Sequence, residues 1–368
     1  MPVLIPVYLS EKGLSVEIIT LVAAIGWIPW IIKFSWSGII DSFSNYKRKF
    51  FVLIGSLIAI ICFFLLAFID PAVSIITFTI ILFISQIGQS FHDSSADAWA
   101  IDISQIDERG KINSAMITGH SIGSGIGALV LTLLAEIYGF NCLFIGVGIL
   151  ILLILIIPIL TKECNRAKKQ EKVTPLLITE FKKRTTQLVA LFALIITISG
   201  SLLMFTIPLF ATNVLNLSIS QIGLISAATT FIIIPGSFIG GIIADKIGRK
   251  KTIYSFCVPT ILLVLLIFFI DNLLLLLVPY FIIIFLNAGR GSATNAMYMD
   301  VTNPKISASH YSIFNSISVL GIVGTGALSG VLIAAFGYSY IFVFISLSLI
   351  PPLILLYFIQ LNKKKNKM

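Results

Sequence analysis

The residues best suited to chemistry are charged side chains inside otherwise apolar stretches. Asp93 and Asp97 lie four residues apart, so a helix places both carboxylates on one face. Because two ionised carboxylates repel each other, we expect that one of them binds a proton or that Lys33 lies nearby. A carboxylate that exchanges a proton near neutral pH suits proton-coupled transport, and Asp93 is the preferred proton carrier. The alternative is that Asp97 only braces the end of its helix.

Two cations also fall within apolar stretches. An ammonium in the middle of a membrane span costs about 2.5–3.5 kcal/mol on insertion scales, so Lys33 must face protein or water. It then either forms a structural ion pair or contacts an anion. A guanidinium stays charged, and Arg290 can bind a substrate phosphate or carboxylate bidentately. Alternatively, Arg290 pairs with Asp93 or Asp97, or belongs to a purely structural ion pair. Asn295 adds a neutral hydrogen-bonding group to the same predicted helix.

Two histidines complete the set of candidate substrate or proton-coupling residues. His92 and Asp97 fit the H-x-x-x-x-D pattern of acyltransferases. That pattern is a weak signal here, because such a pair must meet an acyl donor at an interface and no phosphate-binding loop lies near it. His120 has small residues at four-residue intervals around it, which is typical of close helix packing in membranes.

The composition excludes a soluble fold. Of the 368 residues, 58% are hydrophobic and only 11% are charged, and the mean hydropathy is +1.05. No soluble domain could bury so much apolar surface, so we predict an all-α polytopic membrane protein. The net charge of +9 comes from short basic clusters between apolar stretches, which set topology rather than bind nucleic acid. The four cysteines lack paired spacing and indicate neither a disulfide framework nor a metal site.

Hydropathy and span length predict about eleven complete spans and an N-terminal stub. The predicted spans are residues 14–40, 50–70, 72–101, 112–137, 140–161, 187–211, 218–244, 252–270, 273–300, 308–336 and 338–361. Residues 1–9 are too few to cross about 30 Å of hydrocarbon and resemble the end of a missing first helix. Assigning alternate loops to opposite sides puts nearly all of the 25 Lys and Arg residues on one side, which the positive-inside rule makes the cytoplasm.

A polar segment divides the chain near its middle. Residues 162–186 form a predicted cytoplasmic linker between an N-terminal bundle, residues 1–161, and a C-terminal bundle, residues 187–361. Residues 362–368 form a basic cytoplasmic tail.

The two predicted bundles repeat each other in sequence. Gly38-Ile39-Ile40 matches Gly241-Ile242-Ile243, and Asp102 matches Asp300. Corresponding ends lie on the same predicted side of the membrane. This is the pattern of a parallel internal repeat.

A short charged loop joins two of the long apolar stretches. Its key residues are Gly241, Asp245, Gly248, Arg249 and Lys250. The glycines let a neighbouring helix approach and let the chain turn sharply, and the aspartate can cap a helix N-terminus or pair with a cation. The loop resembles the G-x-x-x-D-x-x-G-R-K loop of the major facilitator superfamily.

The equivalent segment of the first half departs from that loop. Asp41 comes one position early after Gly38, and the Gly-Arg pair is replaced by residues 42–46. The segment from Lys33 to Asp41 resembles the K-F-x-W-[SA]-P-x-x-D segment of the AmpG-type muropeptide permease and acetyl-coenzyme A transporter branch, with glycine in place of proline. That branch also has, in order, an Asp-Ala-Trp or Asp-Ala-Tyr sequence, an acidic residue and a Glu-Arg-Gly sequence. The segments Asp97-Ala98-Trp99, Asp102 and Glu108-Arg109-Gly110 are similar to this series.

The resemblance implies a fold of two pseudo-symmetric helical bundles that alternate access to a central site. It implies a secondary transporter, for which we expect a small polar or anionic organic substrate, proton symport, and neither cofactor nor metal. In that superfamily the fourth and tenth helices of the full count line the cavity, which implies roles for Asp93 and Arg290. We expect a monomer in the plasma membrane, with linker and C-terminus cytoplasmic. The alternatives are a membrane-embedded acyltransferase and a non-transporting receptor or regulator.

Overall fold

The computed structural model describes residues 5, 8–9, 12–43, 45–163, 173–213, 219–270 and 273–361. All regular secondary structure in these ranges is helical, which confirms the predicted all-α class. The helices are α1 (Val16–Ile31), α2 (Phe34–Ser42), α3 (Arg48–Leu66), α4 (Ile75–Ile103), α5 (Arg109–Tyr138), α6 (Phe140–Ile154), α7 (Ile156–Leu160), α8 (Val173–Phe181), α9 (Arg184–Asn213), α10 (Ile219–Ile247), α11 (Arg249–Ile267), α12 (Leu273–Val301), a 3₁₀ turn (Pro304–Ile306), α13 (Ser307–Ser348) and α14 (Ile350–Phe358). Most of the predicted stub, part of the linker and the basic tail lie outside the described residues.

The helices have the dimensions of membrane spans. Within the described ranges, 9 helices are long and apolar enough to cross a bilayer, since a span needs about 20 residues. Helix α13 covers the predicted span 308–336 and the first part of the span 338–361, and Gly337 separates them with φ of 79°. Glycine is the residue that adopts this conformation without strain. The chain is therefore a multi-pass membrane protein, as predicted.

The first predicted span, residues 14–40, differs from the expectation because it is broken into α1 and α2. Pro29 lies inside α1, and a proline within a helix removes one backbone hydrogen bond and kinks the chain. The helix ends two residues later, and Lys33 lies at the start of α2. The interruption thus places the ammonium-bearing residue at a bend inside the span.

The chain forms two compact units. Unit 1 comprises Met1–Asp102, Ile126–Leu177 and Asn303–Ser316, and unit 2 comprises Ile103–Gly125, Ile178–Thr302 and Ile317–Met368. Each unit therefore includes a short segment from the opposite part of the sequence. The predicted division of the chain at residues 162–186 stays a prediction.

Unit 1 packs α3 against α4 and α6. Phe63, Phe78 and Phe144 are fully buried in its apolar core. A Cβ added at Gly55 would lie 2.6 Å from the carbonyl oxygen of Gly88. Glycine at both positions therefore lets α3 and α4 touch through their backbones, which brings the polar side chains of α4 close to those of α3.

Unit 2 packs α12 against α10 and α11. Val264, Ile283 and Ile345 are fully buried in its apolar core. Gly240 of α10 faces the backbone of Gly289 of α12 at a separation that leaves no room for a Cβ. This contact fixes which face of α12 is turned towards α10, at the residue that precedes Arg290.

Candidate functional site

Three predicted site residues of unit 1 form a charged cluster, which we call the Lys33 triad: Lys33, Asp93 and Asp97. The Lys33 Nζ lies 2.8 Å from an Asp93 carboxylate oxygen and 3.4 Å from one of Asp97. The Lys33 side chain is 4% exposed and that of Asp97 8%, whereas that of Asp93 is 41% exposed. One ammonium thus binds two carboxylates, and only one of the carboxylates is open to its surroundings.

Neighbouring polar groups hold the triad in place. Asn315 of α13 donates a hydrogen bond to Asp97 at 3.4 Å. One turn before Lys33, the Trp30 indole donates to the Gln86 side-chain oxygen at 2.9 Å. These bonds tie α1, α4 and the first turns of α13 together within unit 1. Asn315 was absent from the residues that the sequence indicated, because nothing in its own surroundings distinguishes it from other polar helix residues.

His92 has a different partner from the one that the acyltransferase pattern requires. Its Nδ1 lies 2.7 Å from the Ser56 hydroxyl oxygen. Asp97 instead accepts bonds from Lys33 and Asn315. His92 and Asp97 therefore do not form a hydrogen-bonded pair, and the geometry gives the acyltransferase alternative no support.

Arg290 lies in unit 2, on α12, and is 8% exposed. Its guanidinium donates to the Ser199 hydroxyl at 3.1 Å. It makes no ion pair with any residue that the structure describes. Both carboxylates with which the sequence could have paired it bind Lys33.

The same face of α12 carries further polar groups without partners. Asn287 and Thr294 lie three residues before and four residues after Arg290, so all three share one face. The Asn287 side-chain oxygen and the Thr294 hydroxyl are buried and have no hydrogen-bond partner among the described residues. Buried polar groups in native proteins nearly always have partners. This face therefore has the donors and acceptors of a site for a polar ligand or ordered water.

The two remaining candidates are less informative. His120 is exposed on α5 in unit 2 and makes no hydrogen bond or ion pair with a described residue. Asn295 lies next to Thr294 and is partly buried. Within the described part of the chain, neither makes a hydrogen bond to Arg290 or to the Lys33 triad, so their roles remain predictions from the sequence.

The charged loop of unit 2 has the geometry expected of its glycines and its aspartate. Asp245 accepts hydrogen bonds from the backbone N–H groups of Gly110 and Lys111 at 2.9 and 3.0 Å. It therefore caps the N-terminus of α5, where a negative charge is favoured. Gly241 packs directly against Gly110, and Gly248 has φ of 94° at the turn into α11.

Arginine and aspartate side chains surround this cap. Arg249 bonds Asp245 and lies 2.9 Å from Asp300. Arg109 lies 3.3 Å from the other oxygen of Asp300 and donates to the Met299 carbonyl. Lys250 instead donates to the carbonyl oxygens of Tyr357 and Ile359 at the end of α14. The loop thus joins α5, α10, α11 and α12 within unit 2.

Unit 1 contains the equivalent cluster despite its divergent sequence. Asp41 accepts from the backbone N–H groups of Ala308 and Ser309 at 3.3 and 2.7 Å, so it caps the N-terminus of α13. Arg48 is fully buried and lies 2.9 Å from Asp41 and 3.0 Å from Asp102. The nearest atom to a Cβ at Gly38 would be the Ser309 hydroxyl, at 4.0 Å.

Sequence reasoning treated Arg48 only as a topology-setting cation. A signal for its role was present, because Asp102 matches Asp300 in the internal repeat and Asp300 binds Arg249. The repeat therefore indicated a cationic partner for Asp102 near the start of α3. Its spacing from Asp41 is longer than that of Arg249 from Asp245, which hid the equivalence.

Replacing Arg48 with methionine is expected to destabilise the protein by about 3–5 kcal/mol, because two carboxylates lose their buried cation. The measurement is thermal unfolding of the purified protein in detergent. Lys49→Met is the matched control, because among the described residues that ammonium meets only an exposed carbonyl at 3.4 Å. Its loss should cost no more than about 0.5 kcal/mol. Equal unfolding temperatures for the two variants would contradict the assignment.

The fold and these charges define a multi-pass helical membrane protein with ionised groups placed inside its spans. The family model of the Major Facilitator Superfamily matches residues 1–199 and 189–367. The chain belongs to this superfamily, whose members are transporters, and it is a membrane permease.

Individual relatives agree with the predicted branch. A protein of Rickettsia conorii named as the transporter AmpG 4 is 25% identical over 98% of this chain and 92% of its own length. The anhydromuropeptide permease of Escherichia coli is 20% identical over 95% of this chain and 74% of its own. Among solved structures, the proton:xylose symporter XylE has a TM-score of 0.77 at 14% identity, covering 96% of this chain and 89% of that chain. At that identity the likeness shows the fold, and the named relatives confirm the AmpG-type resemblance.

Proposed function

We propose that this permease is a proton-coupled symporter of a small anionic organic solute. It works by alternating access between two bundles, residues 1–161 and 187–361, which the segment 162–186 connects. We further propose that it is a monomer of the plasma membrane with linker and C-terminus in the cytoplasm. No catalytic step belongs to this proposal. The observation that carries it is the Lys33 triad inside membrane-spanning helices.

The charge of the triad suits proton coupling. With both carboxylates ionised, one ammonium and two carboxylates sum to a single negative charge. An uncompensated charge inside a membrane protein is costly, and one bound proton removes it. Asp93 is the group that exchanges this proton, because its side chain is far more exposed than that of Asp97.

Protonation also changes what Lys33 can bind. A neutral Asp93 attracts the ammonium less strongly than a carboxylate does, so Lys33 keeps Asp97 and gains the capacity to attract an anionic solute. When the solute leaves, the ammonium favours ionised Asp93 again and the proton is released. Proton and anion therefore bind with positive coupling, which by linkage is reciprocal.

The proposed anion contact is Arg290. Its guanidinium has no ion-pair partner among the described residues, and orphaned polar atoms of Asn287 and Thr294 lie on the same face of α12. Because the Escherichia coli relative is named for anhydromuropeptides, a sugar peptide with free carboxylates is the first substrate to test.

The test uses purified protein in sealed liposomes that enclose a pH-sensitive dye. Labelled anhydromuropeptide added under an inward proton gradient should accumulate inside, and the lumen should acidify at a proportional rate. Liposomes without protein and a neutral disaccharide are the controls. Uptake without acidification would contradict proton symport, and acidification without uptake would contradict the substrate class.

A further inference from the structure

A cavity lies within unit 1, between α1, α3, α4 and the pair α6 and α7. Its volume is about 410 Å³, which lies within the range typical of small-molecule sites. Its walls combine polar side chains of α4 with aliphatic side chains of α6 and α7.

The polar wall offers negative charge and an unused donor. Asp93 and Gln89 both line the cavity. One Asp93 oxygen binds Lys33, and the other has no hydrogen-bond partner among the described residues. The Gln89 amide nitrogen is buried and likewise has no partner there. The Lys33 side chain is only 4% exposed, and the ring of His92, which also lines the cavity, is hydrogen-bonded to Ser56. The ionised group that the cavity presents is therefore the Asp93 carboxylate.

Two indole rings accompany the carboxylate. Trp30 of α1 and Trp99 of α4 both line the cavity. An aromatic face attracts a cation by about 0.5–2 kcal/mol, and tryptophan does so best. A carboxylate with two tryptophans in one cavity therefore favours a positively charged ligand and disfavours an anionic one.

The opposite wall is apolar and opens outward. Ile154 and Ile157 line the cavity, yet they are 56% and 67% exposed. Both belong to membrane-spanning residues 140–160, so their exposed surface faces the hydrocarbon of the bilayer. Asp93 lies about ten residues before the end of α4, which is about 15 Å along the helix. A ligand that reaches Asp93 from this side must itself dissolve in the bilayer.

We propose that this cavity binds a compact lipophilic cation, such as a protonated aryl-alkylamine, that enters from the lipid. Its ammonium contacts Asp93 and the tryptophans, and its apolar body lies against Ile154 and its neighbours on α6 and α7. This site is separate from the anion contact at Arg290. Binding here requires neither proton symport nor a muropeptide substrate.

The test measures equilibrium binding of labelled 4-phenylbutylamine to the full-length protein in lipid nanodiscs, with protein-free nanodiscs as blank. The matched neutral competitor is 4-phenylbutanol, which has the same skeleton with an uncharged head. We expect saturable binding of the amine, and at least a tenfold weaker displacement by the alcohol. Equal displacement by the two compounds would overturn the proposal, since it would indicate an apolar crevice without charge recognition.

Neighbouring substitutions on α6 locate the site. Ile154→Trp fills the cavity and should weaken amine binding at least tenfold. Leu153→Trp is the control, because Leu153 is equally exposed at 54% but does not line the cavity, and it should bind as the unmodified protein does. An unchanged affinity in Ile154→Trp would overturn the location. The head-group comparison needs no variant, so it stays decisive if a substitution impairs folding.

Discussion

Asp93→Asn is expected to abolish proton-driven uptake while leaving the protein folded. The asparagine can still accept a hydrogen bond from Lys33, and the remaining pair with Asp97 is electrically neutral. The triad then has no reason to bind a proton, so accumulation against a gradient should fall to the level of protein-free liposomes. Downhill exchange of substrate should persist, because the change removes the coupling group and leaves the anion contact at Arg290.

One control and one comparison within the triad make this prediction specific. Asp70→Asn removes an exposed carboxylate that binds Lys12 at 2.8 Å outside the candidate spans, and it should leave uptake unchanged. Asp97→Asn also leaves Lys33 with a single carboxylate and a neutral pair, so proton-driven uptake should fall in this variant as well. If Asp93→Asn accumulated substrate as the unmodified protein does, the proton would have to bind elsewhere.

Arg290→Ala should have the second largest effect, on substrate affinity. A charge-assisted hydrogen bond contributes about 1.5–3 kcal/mol, so losing two of them from a bidentate contact weakens anion binding by about 100-fold or more. The free energy of unfolding, by contrast, should rise or stay constant. The guanidinium has no ion pair with a described residue, so its removal leaves no carboxylate stranded and relieves a buried charge. The measurements are uptake of labelled anhydromuropeptide across a concentration series and thermal unfolding.

A conservative substitution and a distant one distinguish anion binding by Arg290 from a general effect of positive charge. Arg290→Lys keeps the charge but loses the planar fork, so it should recover only part of the affinity. Lys246→Ala removes an exposed cation at the end of α10 and should change neither affinity nor unfolding temperature. A large drop in unfolding temperature for Arg290→Ala would instead assign Arg290 a structural role.

The sequence predicted the fold class because hydropathy and charge distribution are sums over many residues. It also offered Lys33 beside Asp93 and Asp97 as one of several alternatives, because a buried ammonium requires a counter-ion and α4 has two carboxylates on one face. The break between α1 and α2 was not predicted. Hydropathy averages over a window, whereas a proline acts on the few hydrogen bonds around it.

Long-range partners were harder to predict than local ones. The cap at Asp245 followed from a familiar loop, but its donors at Gly110 and Lys111 come from a segment far away in sequence. Asn315 and Ser199 were missed for the same reason, since only tertiary packing selects one polar helix residue over another. The orphaned atoms of Asn287 and Thr294 are likewise visible only once helix rotation is known.

The exchange of short segments between the two units has a consequence for synthesis of the protein. Asp41 receives its backbone donors from Ala308 and Ser309, and Asp97 receives a donor from Asn315. When the ribosome has made only the first half of the polypeptide, these early carboxylates still lack those partners. Unit 1 therefore completes these hydrogen bonds only after residues 303–316 have been synthesised, and a chain that terminates earlier leaves Asp41 and Asp97 without these donors.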